Sequence, residues 1–222
     1  MSRHAIGRRR VLSQLAGGLG YLALPAWLQA PGAYADLLDA TARQTPGPFY
    51  PDPLPLERDN DLIILGDSLT PASGIITHLR GRILNRSGEP VRNALVEIWQ
   101  VDANGVYLHP RSGGAARRDP HFQGYGRFET SSSGEYSFRT VRPVPYPGRT
   151  PHIHVAVTPP GLQPWTTQCY IRGEPGNARD ALFNSIPDAR LRESVLVDFL
   201  PRAESVTGEL DARFDIVLNL KA

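Results

Sequence analysis

The feature that most constrains the fold is a series of short segments in which β-branched and apolar residues alternate with polar ones. Turn-forming clusters such as NRSGEP, DANG and SSSG separate these segments, and the chain holds 21 Gly and 21 Pro residues, which disfavour long helices. Many short strands at this spacing are typical of an antiparallel β-sandwich. The sequence therefore predicts an all-β sandwich with little helix, apart from one short helix at 187–200. The predicted strands lie at 74–85, 93–102, 134–142, 152–158, 166–172 and 213–220.

The first 35 residues have the organisation of an export signal. Arg8 and Arg9 form a twin arginine, an apolar run follows to about Trp27, and AYA at 33–35 offers small residues to a signal peptidase. The apolar run is interrupted by glycines and a proline, and it is short for a membrane span. We expect residues 1–35 to direct twin-arginine export to the periplasm or beyond, with no stable membrane span after processing. A retained N-terminal anchor is the alternative.

The charge and cysteine content of the chain beyond residue 35 limit the classes of function that it can have. Residues 1–35 hold four arginines and no acidic residue, so the formal charge of +2 for the whole chain becomes −2 without them. Nucleic-acid binding therefore loses its electrostatic support. Cys169 is the single cysteine, so no disulfide can form within the chain and stability has to come from a packed core. We expect an N-terminal arm at 36–73, laid over a sandwich domain at 74–222.

The stretch VPYPGRTPHIHVAVTPPG at 144–161 contains a candidate metal site. Side chains alternate between the two faces of a strand, so His152 and His154 project together while Ile153 points to the opposite face. Two imidazoles on one face can bind one metal ion. One alternative is that the two histidines are only exposed or hydrogen-bonded. Another is a copper or zinc protein, although these metals would favour a further His or Cys.

A larger part of the chain resembles a fold that is not specific to enzymes. The region from GRILNRSGEPVRNALVEIWQVDANGVYL to SSGEYSFRTV is similar to the prealbumin-like sandwich modules that occur as adhesive or regulatory additions. In this resemblance Gly88 and Pro90 form a turn, while Ala94 and Val96 face the core. Taken alone, the region favours an exported binding module without catalytic activity.

Two tyrosines change this interpretation. Tyr107 follows the strand that carries Trp99, and Tyr146 lies in PVPYPGR, six residues before His152 on a loop with three prolines. With TPGPFYP, LVEIWQVDANGVY, GRFETSSSGEYSFRT, PHIH and TQCYI, they resemble the signature of the intradiol ring-cleaving dioxygenases, the family of protocatechuate 3,4-dioxygenase. The resemblance covers nearly the whole chain beyond the predicted signal.

This resemblance implies a cofactor, a reaction and a set of site residues. The ligands of one non-haem ferric ion, Fe(3+), would be Tyr107, Tyr146, His152 and His154. The catalytic roles would fall to Arg149, Tyr146 and Gln168. The implied reaction uses O2 to cleave a catechol-type ring between its two hydroxylated carbons, giving a cis,cis-muconate-type diacid. The implied partners are therefore a small aromatic molecule and O2, and the resemblance also allows a homo- or hetero-oligomer.

The proposed ligands suit ferric iron on physical grounds as well. Phenolate is a hard anionic donor that favours a trivalent ion, and imidazole also binds iron. A buried site is most stable when its charges cancel, and Fe(3+) with two phenolates, two neutral imidazoles and one hydroxide has no net charge. This balance is a reason for two tyrosines in one site.

Other polar residues are assigned no catalytic role. Tyr125 is expected in a turn, and Cys169 is expected to face the core because it alternates with Gln168. Asp102 and Glu97 are five residues apart on one predicted strand, so they face opposite sides and are not expected to form an acid–base pair.

Overall fold

The strands and helices are short, as the turn-rich sequence predicts. The computed structural model describes residues 37–220, so the predicted export signal lies outside the described residues. Within that range the chain forms ten strands and two α-helices, joined by turns and short 3-10 helices. The strands are β1 (Ile76–Asn85), β2 (Leu95–Trp99), β3 (Tyr125–Glu129), β4 (Glu135–Val141), β5 (His152–Thr158), β6 (Trp165–Ile171), β7 (Leu196–Val197), β8 (Phe199–Pro201), β9 (Leu210–Arg213) and β10 (Ile216–Leu218). The helices are α1 (Ala181–Asn184) and α2 (Ala189–Glu193).

The strands form two five-stranded sheets with a shared core. In the first sheet, β1 pairs with β4 on one side and with β9 and then β10 on the other, and β8 lies beyond β9. In the second sheet the order is β3-β2-β5-β6-β7. The predicted all-β sandwich is confirmed. The core between the sheets includes Leu79, Ile83, Ile98, Val155 and Ile216.

The prediction that the sandwich is purely antiparallel is wrong, because both sheets are mixed. β1 runs parallel to β9 and β10, and β6 runs parallel to β7. Adjacent parallel strands need a long connection, which is available here because most of the sandwich folds between β1 and β9. Gly81 permits the change of partner along β1, since a Cβ there would lie 1.9 Å from the carbonyl oxygen of Phe214, between β9 and β10.

The region predicted as one helix at 187–200 contains shorter elements. The carboxylate of Asp188 accepts a hydrogen bond from the backbone N–H of Arg190 and starts α2. The run that begins at Val195, with β-branched Val195 and Val197, is extended instead, and β7 pairs with β6. Such residues pack better on a sheet than in a helix, so the helix ends early. None of the helices within residues 37–220 has the length and apolar character needed to cross a membrane.

Strand β3 was not predicted from the sequence, and Tyr125 lies at its start. This tyrosine begins the strand and is buried, so the expectation of a turn is wrong. The two glycines of QGYGR obscure the strand pattern in the sequence. Gly126 is required because the arm crosses it: a Cβ there would lie 2.6 Å from the carbonyl oxygen of Asp59 and 2.6 Å from the side chain of Leu62.

The arm that precedes β1 is hydrogen-bonded to both sheets. The N–H of Gln44 donates to the carbonyl of Thr166 in β6 at 2.9 Å, and the N–H of Thr41 donates to the carbonyl of Val217 in β10 at 2.9 Å. From there the TPGPFYP segment at 45–51 lies against the second sheet, on the face that points away from the core.

Candidate metal centre and active site

Strand β5 presents different residues on its two faces. Ile153 and Val155 point into the core, whereas His152 and His154 point to the opposite face, beneath the arm. Both histidines are buried, and their Nε2 atoms lie 3.2 Å apart. The alternation of side chains along β5 therefore places two imidazoles in one enclosed space.

Tyr107 reaches the two histidines from the loop after β2. Asp102 shapes this loop because its Oδ1 accepts hydrogen bonds from two backbone N–H groups of the DANGV turn. Tyr107 Oη then lies 3.0 Å from Nε2 of His154 and 3.4 Å from Nε2 of His152. Three donor atoms from two separate parts of the chain thus lie close to one point.

Tyr146 approaches these three side chains from the proline-rich loop between β4 and β5. The four predicted ligands are called the group below. The N–H of Arg149 donates to the carbonyl of Tyr146 at 2.9 Å, in a turn where Gly148 has a φ of 80°. The ring of Tyr146 lies 5.4 Å from that of Tyr107 and 5.6 Å from that of His152. Tyr146 is half-buried, so it is the most accessible of the four predicted ligands.

Arg149 and Gln168 form a hydrogen-bonded pair beside the predicted ligands. Arg149 Nη2 donates to Oε1 of Gln168 at 2.5 Å, and Nη1 lies 3.4 Å from Tyr146 Oη. Gln168 is opposite His154 in the β5–β6 pair, and its amide donates to the carbonyl of Thr45 in the arm at 3.1 Å. A guanidinium is therefore held at the edge of the group, next to its most accessible tyrosine.

Asp180 is an important residue that the sequence analysis missed. Its buried carboxylate accepts a hydrogen bond from Nε of Arg149 at 2.9 Å. Burial by itself would raise the pKa of this carboxyl, but the N–H groups of Phe183 and Thr150 and the charge of Arg149 lower it below its ordinary value. Both partners are therefore ionised at neutral pH. The one signal in the sequence was an aspartate before a short apolar run, which is typical of a helix cap.

Aromatic side chains surround the group, and the sequence analysis assigned none of them to the site. The indole of Trp99 stacks on the imidazole of His154 with 5.0 Å between ring centroids, and Phe49 of the arm stacks on Tyr107 at 4.9 Å. Gly47 lets the arm approach closely, since a Cβ there would lie 3.2 Å from Cε1 of His154. These contacts exclude water from the side of the group that faces the arm.

Glu97 attaches the arm to the second sheet next to this aromatic layer. Its Oε1 accepts hydrogen bonds from Oη of Tyr50 at 2.8 Å and Oη of Tyr125 at 2.5 Å. Burial and the hydrogen bond to Glu97 together raise the pKa of Tyr50 to about 12. The phenol therefore remains protonated and acts as a donor. No pairing between Asp102 and Glu97 was expected from the sequence, and none is found. The carboxylate of Asp102 accepts hydrogen bonds from backbone N–H groups instead.

Three of the predicted ligands are buried deeply enough to shift their pKa values. Burial, together with the nearby charge of Arg149, lowers the pKa of His152 to about 4. Burial and the neighbouring imidazole lower the pKa of His154 well below its ordinary value. Burial and the adjacent Tyr146 raise the pKa of Tyr107 well above its ordinary value. Both imidazoles are consequently neutral donors at pH 7, and Tyr107 ionises only when a cation lies close to it.

These side chains fit a metal ion. Nδ1 of His152 donates to the carbonyl of Thr150 at 2.6 Å, which leaves the lone pair of Nε2 directed towards the other donors. Two nitrogen ligands about 2.1 Å from one ion and about 100° apart are separated by about 3.2 Å, which matches the two histidines. No group of three or more His, Cys, Asp or Glu side chains in the described part of the chain could hold a metal. A metal site here therefore depends on the tyrosines.

Comparison with known proteins establishes the family. The profile of a family described as dioxygenase matches residues 46–220. Catechol 1,2-dioxygenase 2 of Acinetobacter lwoffii is 30% identical over 214 residues, which cover 85% of this chain and 74% of that protein. This chain belongs to the intradiol ring-cleavage dioxygenase family.

Two further relatives show what share of a related protein's length this chain covers. It is 38% identical over 146 residues to the protocatechuate 3,4-dioxygenase beta chain of Burkholderia cepacia, and the alignment spans 62% of each protein. A solved structure, the dioxygenase domain of a dioxygenase–carbohydrate-binding protein fusion from Streptomyces sp. SirexAA-E, is 30% identical with a TM-score of 0.61. That similarity covers 82% of this chain and 100% of the solved domain.

Proposed function

We propose that this intradiol-family chain is a non-haem Fe(3+) dioxygenase that cleaves a catechol-type ring between its two hydroxylated carbons. The observation that carries the proposal is the convergence of Tyr107, His152 and His154 in a buried space, with Tyr146 beside them. Two phenolates and two neutral imidazoles favour a trivalent ion and balance its charge. When bound, ferric iron would hold the two adjacent substrate oxygens and promote reaction of the ring with O2, giving a cis,cis-muconate-type diacid.

The chain's own residues would control charge and protons during this reaction. Oη of Tyr146, on the accessible side, would be ionised as a metal ligand and could then accept a proton from a substrate hydroxyl as the substrate enters. Arg149 would stabilise the negative charge that develops on the ring, because Asp180 and Gln168 already hold its guanidinium in place. Gln168 would orient the substrate or O2. Tyr107 is enclosed and would remain in place.

The colour, iron content and products of the purified protein test the proposal. Charge transfer from tyrosinate to Fe(3+) should make the protein reddish, with about one iron per chain. Incubation with catechol, protocatechuate and hydroxyquinol under O2 should consume oxygen and give a muconate-type diacid from at least one of them. A semialdehyde would indicate cleavage outside the two hydroxylated carbons and would contradict the proposal. Colourless protein that binds catechols without product would support the binding-module alternative.

A matched pair of histidine variants shows whether the iron is bound at the proposed site. His152→Gln should remove the iron and the colour. His78→Gln should keep both, because His78 lies on β1 and pairs with Glu209 at 2.7 Å on the first sheet. Equal iron loss in the two variants would mean that the metal is bound elsewhere.

The two tyrosines should respond differently to substitution. Tyr146→Phe should still bind iron, with altered colour, and should form the substrate complex more slowly because a proton acceptor is lost. Tyr107→Phe should lose iron or lose the charge-transfer colour after substrate binds, since a buried donor in contact with both histidines is removed. Stopped-flow absorbance with a catechol measures both effects. A tyrosinate band that persists with substrate in Tyr107→Phe but not in Tyr146→Phe would reverse the two roles.

We also propose that the chain is exported to the periplasm or the exterior by the twin-arginine route. The RRRVLSQL stretch, the apolar run and AYA at 33–35 support this. Replacing both Arg8 and Arg9 by Lys should leave uncleaved precursor in the cytoplasm, as fractionation and immunoblotting would show. Arg3→Lys is the matched control and should be exported normally. Normal export of the double variant would contradict the proposal.

A further inference from the structure

The carboxylate of Asp180 contacts two different structural elements. Its Oδ1 accepts hydrogen bonds from the N–H groups of Leu182 and Phe183, each at 2.9 Å, and thereby caps α1. Its Oδ2 accepts from Nε of Arg149 and from the N–H of Thr150, again each at 2.9 Å. The side chain is fully enclosed, with 0% exposure. Oδ1 thus caps the helix, and Oδ2 is hydrogen-bonded to the segment that leads into β5.

Thr150 connects this carboxylate to one of the proposed metal ligands. Its N–H donates to Asp180, and its carbonyl accepts the hydrogen bond from Nδ1 of His152 at 2.6 Å. Its hydroxyl donates to Oδ1 of Asn177 at 2.9 Å. The orientation of the His152 ring therefore depends on a backbone position that Asp180 and Asn177 hold.

The loop between β6 and α1 is itself packed against Thr150. A Cβ on Gly176 would lie 2.7 Å from Oγ1 of Thr150, so only glycine allows the loop to come this close. Nδ2 of Asn177 donates to the carbonyl of Ile171 at 2.9 Å, which attaches the loop to the end of β6. The loop therefore restricts the position of Thr150.

We propose that Asp180 is a positioning residue that fixes both the guanidinium of Arg149 and the ring of His152. The inference rests on the proposed function, because it assumes that His152 binds the metal. Asp180 reaches His152 only through Thr150. Partners of this kind orient a ligating histidine and tune its metal, and their loss typically reduces metal affinity or activity about 10- to 100-fold.

Asp180→Asn is the direct test. The amide oxygen can still cap α1, whereas the amide nitrogen cannot accept hydrogen bonds from Arg149 and Thr150. We expect the apparent iron affinity, measured by chelator competition, to fall about 10- to 100-fold, with a shifted visible band. Asp188→Asn is the matched control, because Asp188 caps α2 on the surface, and it should leave affinity and colour unchanged.

A second comparison separates the effect of Asp180 on Arg149 from its effect on His152 through Thr150. It also avoids a folding defect. In the Arg149→Ala background, Asp180→Asn removes a buried carboxylate that has already lost its cation, so the double variant should fold. If Asp180 also acts through Thr150 and His152, iron affinity and the visible band change in this background too. The inference is overturned if Asp180→Asn leaves both unchanged in either background while the unsubstituted protein binds iron. Absence of iron from the unsubstituted protein would instead contradict the proposed function.

Discussion

The two faces of β5 show how one strand can serve stability and chemistry at once. On one face, Ile153 and Val155 pack in the apolar core between the sheets. On the other, His152 and His154 meet Tyr107 through polar atoms 3.0–3.4 Å apart. Both faces are buried, but different parts of the chain cover them: the first sheet on one side, the arm and two loops on the other.

The difference shows that burial by itself does not indicate the role of a residue. On the core face, free energy depends on volume and contact, so apolar substitutions of similar size should be tolerated. On the site face, polar atoms of His152, Tyr107 and Arg149 have particular partners, and leaving such a buried group unsatisfied is costly. Substitutions on the two faces should therefore separate folding from metal binding.

The largest expected effect is on the site face. His154→Ala should lose the iron, and turnover should fall by more than about 100-fold. Loss of a residue that only orients a ligand typically costs up to about 100-fold, and His154 is itself a proposed ligand. Its unfolding should remain cooperative, because the core face is unaltered. Metal analysis and oxygen uptake measure the first two effects, and circular dichroism measures the third. Full iron occupancy in this variant would remove His154 from the ligand set.

Arg149→Ala should have the next largest effect on activity, through turnover rather than through metal binding. The ligands remain, so iron and colour should persist, while turnover falls by about 100-fold because one preorganised charge is lost. Steady-state oxygen uptake, together with the visible spectrum, measures both properties. Unchanged turnover would limit Arg149 to holding its loop.

Ile153→Ala should show the opposite behaviour to the two site variants. It creates a cavity in the core and should lower the free energy of unfolding by about 2–5 kcal/mol. The iron content per folded chain should stay the same, because the neighbouring histidines face the other side. Urea unfolding and metal analysis on the same sample test this. A parallel loss of iron would mean that the two faces are not separable.

The expected effect that is smallest at pH 7 is the dependence of stability on pH in the metal-free protein. The folded-state pKa of His152 is lowered from 6.5 to about 4, so the unfolded chain binds more protons between these values. Stability should therefore be highest above pH 6.5 and fall by about 3 kcal/mol as the pH decreases towards 4. His152→Gln should show a shallower decline in urea titrations, and an unchanged slope would contradict the burial of a neutral imidazole.

Local patterns in the sequence predicted the two adjacent strands that carry the histidines and Gln168. HIHVAVT at 152–158 coincides with β5, and TTQCYIR at 166–172 overlaps β6. Cys169 faces the core, as its alternation with Gln168 indicates. These predictions succeeded because the period of two is a local property of an extended chain. The prediction for Tyr125 failed because two glycines interrupt the pattern and the covering arm is distant in sequence.

By itself, the sequence determined the sandwich class, the pairing of His152 with His154 on one face, and a resemblance that named the candidate ligands. Only the tertiary structure decided that the sheets are mixed, that Glu97 attaches the arm, and that Asp180 holds Arg149 from 31 residues away. The physical reason is that strand periodicity is encoded in neighbouring residues, whereas a buried charge is paired by whichever loop the fold brings to it.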